Sequence, residues 1–166
     1  MICNDLNQCI KERITGCTKA TACIHSSSSS KNRTCSERNK RYNLINDRGL
    51  LVDIYHMDGG IIQNEQGVSK CDYLYSIKDS VSSIVLVELK GVDFNHSIEQ
   101  IDKTLDILNN RLSLHPVYGR IVCGSVPNIR NVPSRRKLEM RLVKKFKGNL
   151  KIATNSMDEK YDSLGR

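Results

Sequence analysis

Apolar runs and alternations along the chain predict a series of short strands. The segment 84–90 is almost continuously aliphatic, as in a strand that is buried on both faces. The Asp58-Gly59-Gly60 triplet is a strong signal for a tight turn between two strands. On these patterns we expect strands at 50–56, 61–63, 71–78, 84–90, 117–123 and 150–153.

Two later segments carry the spacing of amphipathic helices. The first helix is predicted to follow 84–90 and to lie on the sheet, with Ser97 and Gln100 forming a capping box. Its apolar stripe has spacings of three and four and comprises Ile98, Ile101, Leu105, Leu108 and Leu112. The second helix is predicted over 134–148, with Ser134 as its N-cap and a stripe of Leu138, Leu142 and Phe146.

The two ends of the chain are less regular. A short helix is predicted over 5–14 and a second over 36–46, with Ser36 as its cap. Between them, 15–34 is rich in Ser and Thr and is expected to be a flexible loop. The last residues, 154–166, are expected to form a frayed polar tail.

This order of elements predicts an α/β domain with a central mixed sheet flanked by helices. At 166 residues the chain is expected to form a single domain, 1–166. Within it we assign N-terminal helices and the Ser/Thr-rich loop to 1–49, the core to 50–153 and the tail to 154–166.

Composition indicates the cellular location of the protein and the state of its cysteines. No apolar run approaches the length that spans a bilayer, and the N-terminus lacks the order of a signal peptide, so a cytoplasmic protein without membrane contact is expected. Five of the seven cysteines lie within the first 35 residues, at spacings that match no common zinc motif. Free reduced thiols are the favoured interpretation, and an irregular metal site is the alternative.

The net charge of +8 is concentrated in one segment. Residues 130–151 contain nine Lys or Arg against Glu139 alone, so the rest of the chain is neutral overall. Such a segment suits a polyphosphate, although a solvated basic helix face is the ordinary alternative. The residues that we assign to nucleic-acid binding are Arg135, Arg136, Lys137, Arg141 and Lys144.

Charged residues interrupt the aliphatic strand at 84–90. Glu88 and Lys90 are two residues apart, so both side chains project from one face. If 71–78 pairs with this strand as an antiparallel hairpin, Asp72 lies near them. Two carboxylates suit a Mg²⁺ ion, and a lysine beside them stabilises negative charge on phosphate. The alternative is a surface ion pair between Glu88 and Lys90.

These residues resemble a known signature. Asp72 followed by Glu88-Leu89-Lys90 resembles the PD-(D/E)XK signature of restriction-endonuclease-like nucleases, and the similarity covers about 50–112. The predicted order of elements also resembles the αβββαβ core of that family. The resemblance implies Mg²⁺ or Mn²⁺ bound by Asp72, Glu88 and the main-chain carbonyl of Leu89. It further implies that Lys90 orients the attacking water or stabilises charge.

Three auxiliary residues are candidates for the same site. Several nucleases of this class add a glutamate from an early helix, and Glu37 fits that role better than Glu12 on helical angles. The alternative for either residue is a solvated surface glutamate. Gln100 is expected near Glu88 and Lys90, where it could contact phosphate or cap its helix. Asp58 is a turn residue that could also serve as a ligand.

The function expected from these features is metal-dependent hydrolysis of phosphodiester bonds in nucleic acid, with DNA favoured over RNA. A homodimer is left open. The alternative function is a catalytically inactive protein on the same fold that binds nucleic acid or another partner. The intact set of Asp72, Glu88 and Lys90 favours the enzyme.

Overall fold

A computed structural model describes residues 2–11, 23–63, 66–125 and 132–166. The first part of the chain contains helix α1 (Leu6–Lys11) and strands β1 (Ile24–Ser28), β2 (Asn32–Glu37), β3 (Lys40–Ile45), β4 (Val52–His56), β5 (Tyr73–Ile77) and β6 (Ser83–Lys90). The second part contains α2 (Phe94–Leu112), β7 (Val117–Cys123), α3 (Pro133–Phe146), β8 (Leu150–Thr154), β9 (Ser156–Lys160) and a single 3₁₀ turn, Tyr161–Ser163.

The central sheet has six strands in the order β1-β4-β5-β6-β7-β8. The first four strands run antiparallel to their neighbours, whereas β6, β7 and β8 are parallel. Helix α2 connects β6 to β7, and α3 lies between β7 and β8 in the chain. The expected α/β architecture with a mixed sheet is therefore confirmed, including the strands predicted at 50–56, 71–78, 84–90, 117–123 and 150–153. The predicted strand at 61–63 is wrong, because this segment forms only isolated bridges after the Asp58 turn.

The two faces of the six-stranded sheet are covered differently. Within the described ranges, helices α1, α2 and α3 all pack on one face, against side chains such as Leu86 and Ile121. On the other face a second sheet, in the order β2-β3-β9, packs against residues such as Tyr75 and Val87. The expectation that helices flank the sheet therefore holds for one face only, since aromatic and aliphatic residues of β2, β3 and β9 cover the second.

The predicted helix over 36–46 is wrong. Strands β2 and β3 form an antiparallel hairpin there, and its turn residues Arg38 and Asn39 have φ values of 49° and 60°. Positive φ at both central residues is the conformation that connects tightly paired strands. In β2 every second residue is buried, as at Arg33 and Cys35, so the period is that of a strand.

Two segments expected to lack structure are also strands. Within 15–34, β1 and the start of β2 are strands, and residues 15–22 lie outside the described part of the chain. The tail at 154–166 contains β9, which pairs in parallel with β3, and Leu164 is buried. The polar sequences of β1 and β9 conceal strands whose stability comes from pairing with more apolar neighbours.

Both long helices begin at caps other than the expected ones. Asp93, not Ser97, caps α2, because its carboxylate accepts a hydrogen bond from the His96 amide at 3.0 Å. Helix α3 begins at Pro133 after Val132, so Ser134 is not its N-cap; proline at the first helical position needs no amide partner. The buried stripes of both helices are as predicted.

Among the described residues no helix is both long enough and apolar enough to cross a membrane. The thiols of Cys3, Cys35, Cys71 and Cys123 are free and buried, as predicted for these four, whereas Cys17 lies outside the described residues. Glu12 and Arg130 also lie outside them.

Candidate metal centre

The register of β5 and β6 brings two carboxylates together. Tyr73 pairs with Val87 in this antiparallel ladder, and the Asp72 amide continues it by donating to the Val87 carbonyl at 3.1 Å. Asp72 therefore lies opposite Glu88 at the end of the sheet. The approach of Asp72 to Glu88, expected from the hairpin pattern, is what the structure shows.

The two carboxylates have different surroundings. One oxygen of Asp72, Oδ2, accepts a hydrogen bond from the Leu89 amide at 2.7 Å, so this carboxylate is tied to the β6 backbone. Glu88 is only 1% exposed, and its Oε2 atom has no hydrogen-bond partner within the described part of the chain. A buried carboxylate oxygen without a partner is unfavourable unless it is protonated or binds a cation.

The burial of these two carboxylates and the charges near them shift their pKa values. Burial raises the pKa of Asp72 to about 6; the Leu89 amide opposes this rise, the Glu37 charge adds to it and the Lys90 charge opposes it. Burial, followed by the negative charge of Asp72, raises the pKa of Glu88 to about 9. In the absence of a cation, Glu88 is therefore protonated at neutral pH. A cation bound between these groups would replace that proton.

Lys90 is held beside the carboxylates by helix α2. Its Nζ atom donates to Gln100 Oε1 at 3.3 Å, and Gln100 Nε2 donates to the Lys70 carbonyl at 2.9 Å. The backbone directly after Lys90 is also held, because the Gly91 carbonyl accepts a hydrogen bond from the Gly124 amide at 2.5 Å. A Cβ atom on Gly124 would lie 2.4 Å from that oxygen, so only glycine fits there. Gln100 lies where it was expected, and its contacts position Lys90.

Thr104 is a site-supporting residue that the sequence analysis missed. It is fully buried on α2, where its hydroxyl accepts a hydrogen bond from the Cys71 amide at 2.9 Å and donates to the Gln100 carbonyl at 2.8 Å. Thr104 thus ties the backbone just before Asp72 to the helix. A polar residue within the apolar stripe, between Ile101 and Leu105, is the signal that could have identified it.

An open cleft of about 850 Å³ lies at this end of the molecule. Its lining includes Asp72, Tyr73, Lys70, Gln100, Glu37, Arg38, His56, Asp58 and His96. The Arg38 and Lys90 charges lower the pKa of Asp72, which Glu37 raises. The cleft therefore gives a solvent-side approach to Asp72, while the almost fully buried Glu88 lies behind its wall.

The auxiliary carboxylates of Glu37 and Asp58 both line this cleft. Glu37 comes from an unexpected element, and Asp58 is paired with a lysine. Glu37 lies at the end of β2 rather than on a helix, and its carboxylate is 3.4 Å from Arg38 Nε. The side chain of Asp58 is 84% exposed and forms an ion pair with Lys70 at 2.9 Å. Neither contact excludes a role at the site, and Glu37 is the one that acts electrostatically on Asp72.

The donor set fits a hard divalent cation. Within the described ranges no group of three or more His, Cys, Asp or Glu side chains is arranged around a common point. Structural and catalytic zinc sites generally have such a group of three or four protein ligands. Mg²⁺ instead keeps several waters and is bound by one or two carboxylates together with substrate phosphate. The unsatisfied oxygen of Glu88 beside Asp72 therefore fits this kind of cation.

The predicted basic surface lies on α3, and its members differ. Arg141 donates to Asp102 and Asp106 of α2 at 2.6 and 2.7 Å, and Arg135 donates to Glu139 at 2.7 Å. These two side chains are used within the fold. The members that remain exposed are Arg136, Lys137 and Lys144.

Comparison of this chain with protein-family models, with curated proteins and with solved structures finds no match.

Proposed function

We propose that this protein is a metal-dependent nuclease that hydrolyses phosphodiester bonds, with DNA favoured as the substrate. The observation that carries the proposal is the buried Glu88 carboxylate, with an unpartnered oxygen, placed opposite Asp72 and beside Lys90. Two carboxylates and an ammonium at one strand end are the groups that metal-assisted phosphate chemistry needs.

The order of elements supports the same proposal. When β1, β2 and β3, which lie between α1 and β4 in the chain, are set aside, the elements α1, β4, β5, β6, α2 and β7 match the αβββαβ order that the PD-(D/E)XK resemblance implies. In this order the site lies at the ends of the second and third strands of the meander. The second sheet, β2-β3-β9, is an addition to that core and contributes Glu37 and Arg38 to the cleft.

Asp72 and Glu88 would hold Mg²⁺ or Mn²⁺, and the resemblance adds the Leu89 carbonyl. When bound, such an ion polarises phosphate and lowers the pKa of a water ligand. Because Asp72 Oδ2 accepts a hydrogen bond from the Leu89 amide, the other oxygen, Oδ1, would be available to a ligand. The hydrogen bond fixes the carboxylate before a ligand arrives, which reduces the reorganisation needed on binding.

Lys90 has a distinct role. Its ammonium projects from the same strand face as Glu88, and Gln100 restrains it. In this position it stabilises negative charge that develops on a phosphate oxygen, or it orients the attacking water. Gln100 and Thr104 act as positioning residues, because they tie α2 to Lys90 and to the backbone before Asp72.

The alternative of a non-catalytic binding protein on this fold is less well supported. Burying Glu88 next to another carboxylate is destabilising, as the raised pKa values of both groups indicate. A surface that only binds nucleic acid has no physical need for this arrangement. The exposed basic residues of α3 are compatible with either function.

Cleavage assays with variants test the proposal. We expect Mg²⁺- or Mn²⁺-dependent cleavage of plasmid or single-stranded DNA, and RNA is tested in parallel. Asp72→Asn, Glu88→Gln and Lys90→Met should each lower the rate by about 10²–10³-fold or more, because each removes a charge that acts on the transition state. Glu99→Gln, at a side chain 55% exposed on α2, is the matched control and should cleave normally.

Circular dichroism and thermal melting show whether each variant is folded. Full cleavage by folded Glu88→Gln would refute the assignment of the site. Absence of metal-dependent cleavage by the unmodified protein on all substrates tested would favour the non-catalytic alternative.

A further inference from the structure

Two histidines face each other on neighbouring strands beside the cleft. His25 of β1 and His56 of β4 approach so that His25 Nδ1 lies 3.2 Å from His56 Nε2. His25 is exposed, and His56 is partly buried and lines the cleft. The proposed reaction at Asp72 and Glu88 makes no use of this pair.

The backbone is shaped to bring these rings together. In the ladder between β1 and β4, Ile24 pairs with Tyr55 and Ser26 pairs with Ile54, so His25 is an extra residue in a β-bulge. A bulge interrupts the regular alternation of side chains and redirects the residue that it inserts. Here the redirected residue is His25, and its ring is directed at His56.

A buried tyrosine supports both rings. Tyr73, 7% exposed, pairs with His56 across β4 and β5. Its ring centroid lies 5.3 Å from that of His25 and 5.2 Å from that of His56. The two imidazoles are therefore held by packing as well as by their mutual contact. Side chains that are oriented before binding lose little freedom when a ligand arrives.

The separation of the nitrogens matches that of two ligands on one metal ion. Zinc–nitrogen bonds of about 2.0–2.1 Å in tetrahedral geometry place two nitrogens about 3.3–3.4 Å apart. The observed 3.2 Å is within about 0.2 Å of that span. Without a metal the same separation is that of a hydrogen bond between the two rings. For chelation, the donating ring moves its proton to its outer nitrogen, which needs no net change in charge.

We propose that His25 and His56 form a two-ligand site for a borderline divalent d-block cation, with Zn²⁺ as the representative ion. Imidazole nitrogen suits Zn²⁺, Cu²⁺ and Ni²⁺, whereas Mg²⁺ prefers oxygen. The site is thus chemically distinct from Asp72 and Glu88, and it does not depend on nuclease activity. Water from the cleft, which His56 lines, would supply the remaining ligands.

One neighbouring charge opposes the ion. The Arg33 guanidinium donates to Ser26 Oγ at 2.8 Å and to the Val52 carbonyl at 3.1 Å, so it is fixed near β1. Its positive charge weakens binding of a cation at His25. The expected site is therefore one of moderate affinity that is open to solvent, unlike a closed structural zinc site.

The experiment uses untagged, chelator-treated protein, because a polyhistidine tag would itself bind Zn²⁺. Calorimetric titration with Zn²⁺ is done in excess Mg²⁺, and Co²⁺ absorption reports nitrogen ligation. We expect one Zn²⁺ per chain for the unmodified protein, and loss of that binding in both His25→Gln and His56→Gln. His96→Gln, which changes another cleft histidine, should bind as the unmodified protein does.

A double variant, Asp72→Asn with Glu88→Gln, separates this proposal from the proposed function. If Zn²⁺ binding persists in it and is lost in the histidine variants, the histidine site is established whatever the cleavage assays show. The proposal is overturned if the unmodified protein binds no Zn²⁺, or if binding survives both histidine changes or follows the carboxylates. His25 is exposed, so His25→Gln decides the question even if His56→Gln folds poorly.

Discussion

Glu88 and Glu159 are both buried glutamates, 1% and 6% exposed, but the protein surrounds them differently. Glu159 on β9 accepts hydrogen bonds from Arg120 Nε at 2.6 Å and Nη2 at 2.9 Å, and from Lys151 Nζ at 2.6 Å. The Tyr42 hydroxyl also donates to it, at 3.2 Å. Glu88 has another carboxylate, that of Asp72, opposite it, and one of its oxygens has no partner among the described residues.

The partners of Arg120 complete the network around Glu159. This arginine is fully buried on β7, and it also donates to the carbonyls of Gly119 and Leu164 and to Asn149 Oδ1. The network connects β7 to the C-terminal residues. Its charges are balanced inside the fold, so they stabilise only as a set.

The contrast distinguishes a charge that is buried as part of the fold from a charge that is buried where a ligand binds. At Glu159 the protein provides the opposite charge itself, and no ligand is needed. At Glu88 the effect of the Asp72 carboxylate exceeds that of the Lys90 charge, so a proton or a cation must come from outside. A buried carboxylate oxygen without a partner is therefore a better indicator of a binding site than burial alone, because Glu88 and Glu159 are similarly buried.

The largest effect on stability is expected from Glu159→Gln. Removing this charge leaves Arg120 buried without its counter-charge, which should lower the free energy of unfolding by about 3–5 kcal/mol. Urea denaturation at neutral pH measures the change. Glu88→Gln under the same conditions should leave stability unchanged or raise it. Equal losses in the two variants would contradict the distinction between the two sites.

A smaller effect is expected in the pH dependence of stability. The folded protein retains the Glu88 proton up to about pH 9, whereas the unfolded chain releases it near the ordinary value of 4.5. Between these values the folded state binds more protons, so metal-free stability falls as pH rises. Glu88→Gln removes this dependence and should exceed the unmodified protein by on the order of 2 kcal/mol at pH 8. Denaturant titrations from pH 5 to 9 measure the difference, and parallel curves for the two proteins would argue against a raised pKa.

Added Mg²⁺ should reverse part of that loss. Binding to the folded state alone stabilises it, by about 1–3 kcal/mol when the ion is in 10- to 100-fold excess over its dissociation constant. Because the ion replaces the Glu88 proton, the gain should be greater at pH 8 than at pH 6. Thermal melting with and without Mg²⁺ measures it. Glu88→Gln should show little gain, and a full gain in that variant would place the ion elsewhere.

The smallest effect on stability is expected from substitutions of exposed basic residues on α3. On this helix, too, some charges are paired within the fold and others are not. Replacing the exposed Arg136, Lys137 and Lys144 with alanine should change stability by less than about 0.5 kcal/mol each. It should nevertheless lower nucleic-acid affinity and flatten its salt dependence, because fewer counterions are released. Binding over a salt series measures this.

Arg141→Ala is the contrasting variant on the same helix. It breaks contacts with Asp102 and Asp106, so it should destabilise the protein while changing the salt slope less. An unchanged slope in the triple variant would place the nucleic-acid surface elsewhere.

The comparison also shows where sequence patterns were informative. The strand at 84–90 was predictable because four consecutive aliphatic residues precede Glu88, and the apolar stripes of both long helices have an unmistakable period. The meeting of Asp72 with Glu88 followed from a local hairpin whose strands are adjacent in sequence. By contrast, β1 and β9 were missed because they are short and polar, and their pairing partners lie far away in the chain. The polar strand β2 was missed although its partner β3 is adjacent, because the turn between them, Arg38-Asn39, contains no glycine.

The order of residues by itself determined the core strands, the amphipathic helices and the placement of Asp72, Glu88 and Lys90 at one strand end, because period and nearby pairing are local properties. Only the tertiary structure decided which charges are satisfied. Glu159 meets Arg120, 39 positions away, and Glu37 reaches the cleft on a hairpin that packs over the sheet. Desolvation and pairing depend on what distant segments place around a side chain, so they are settled only when the layers assemble.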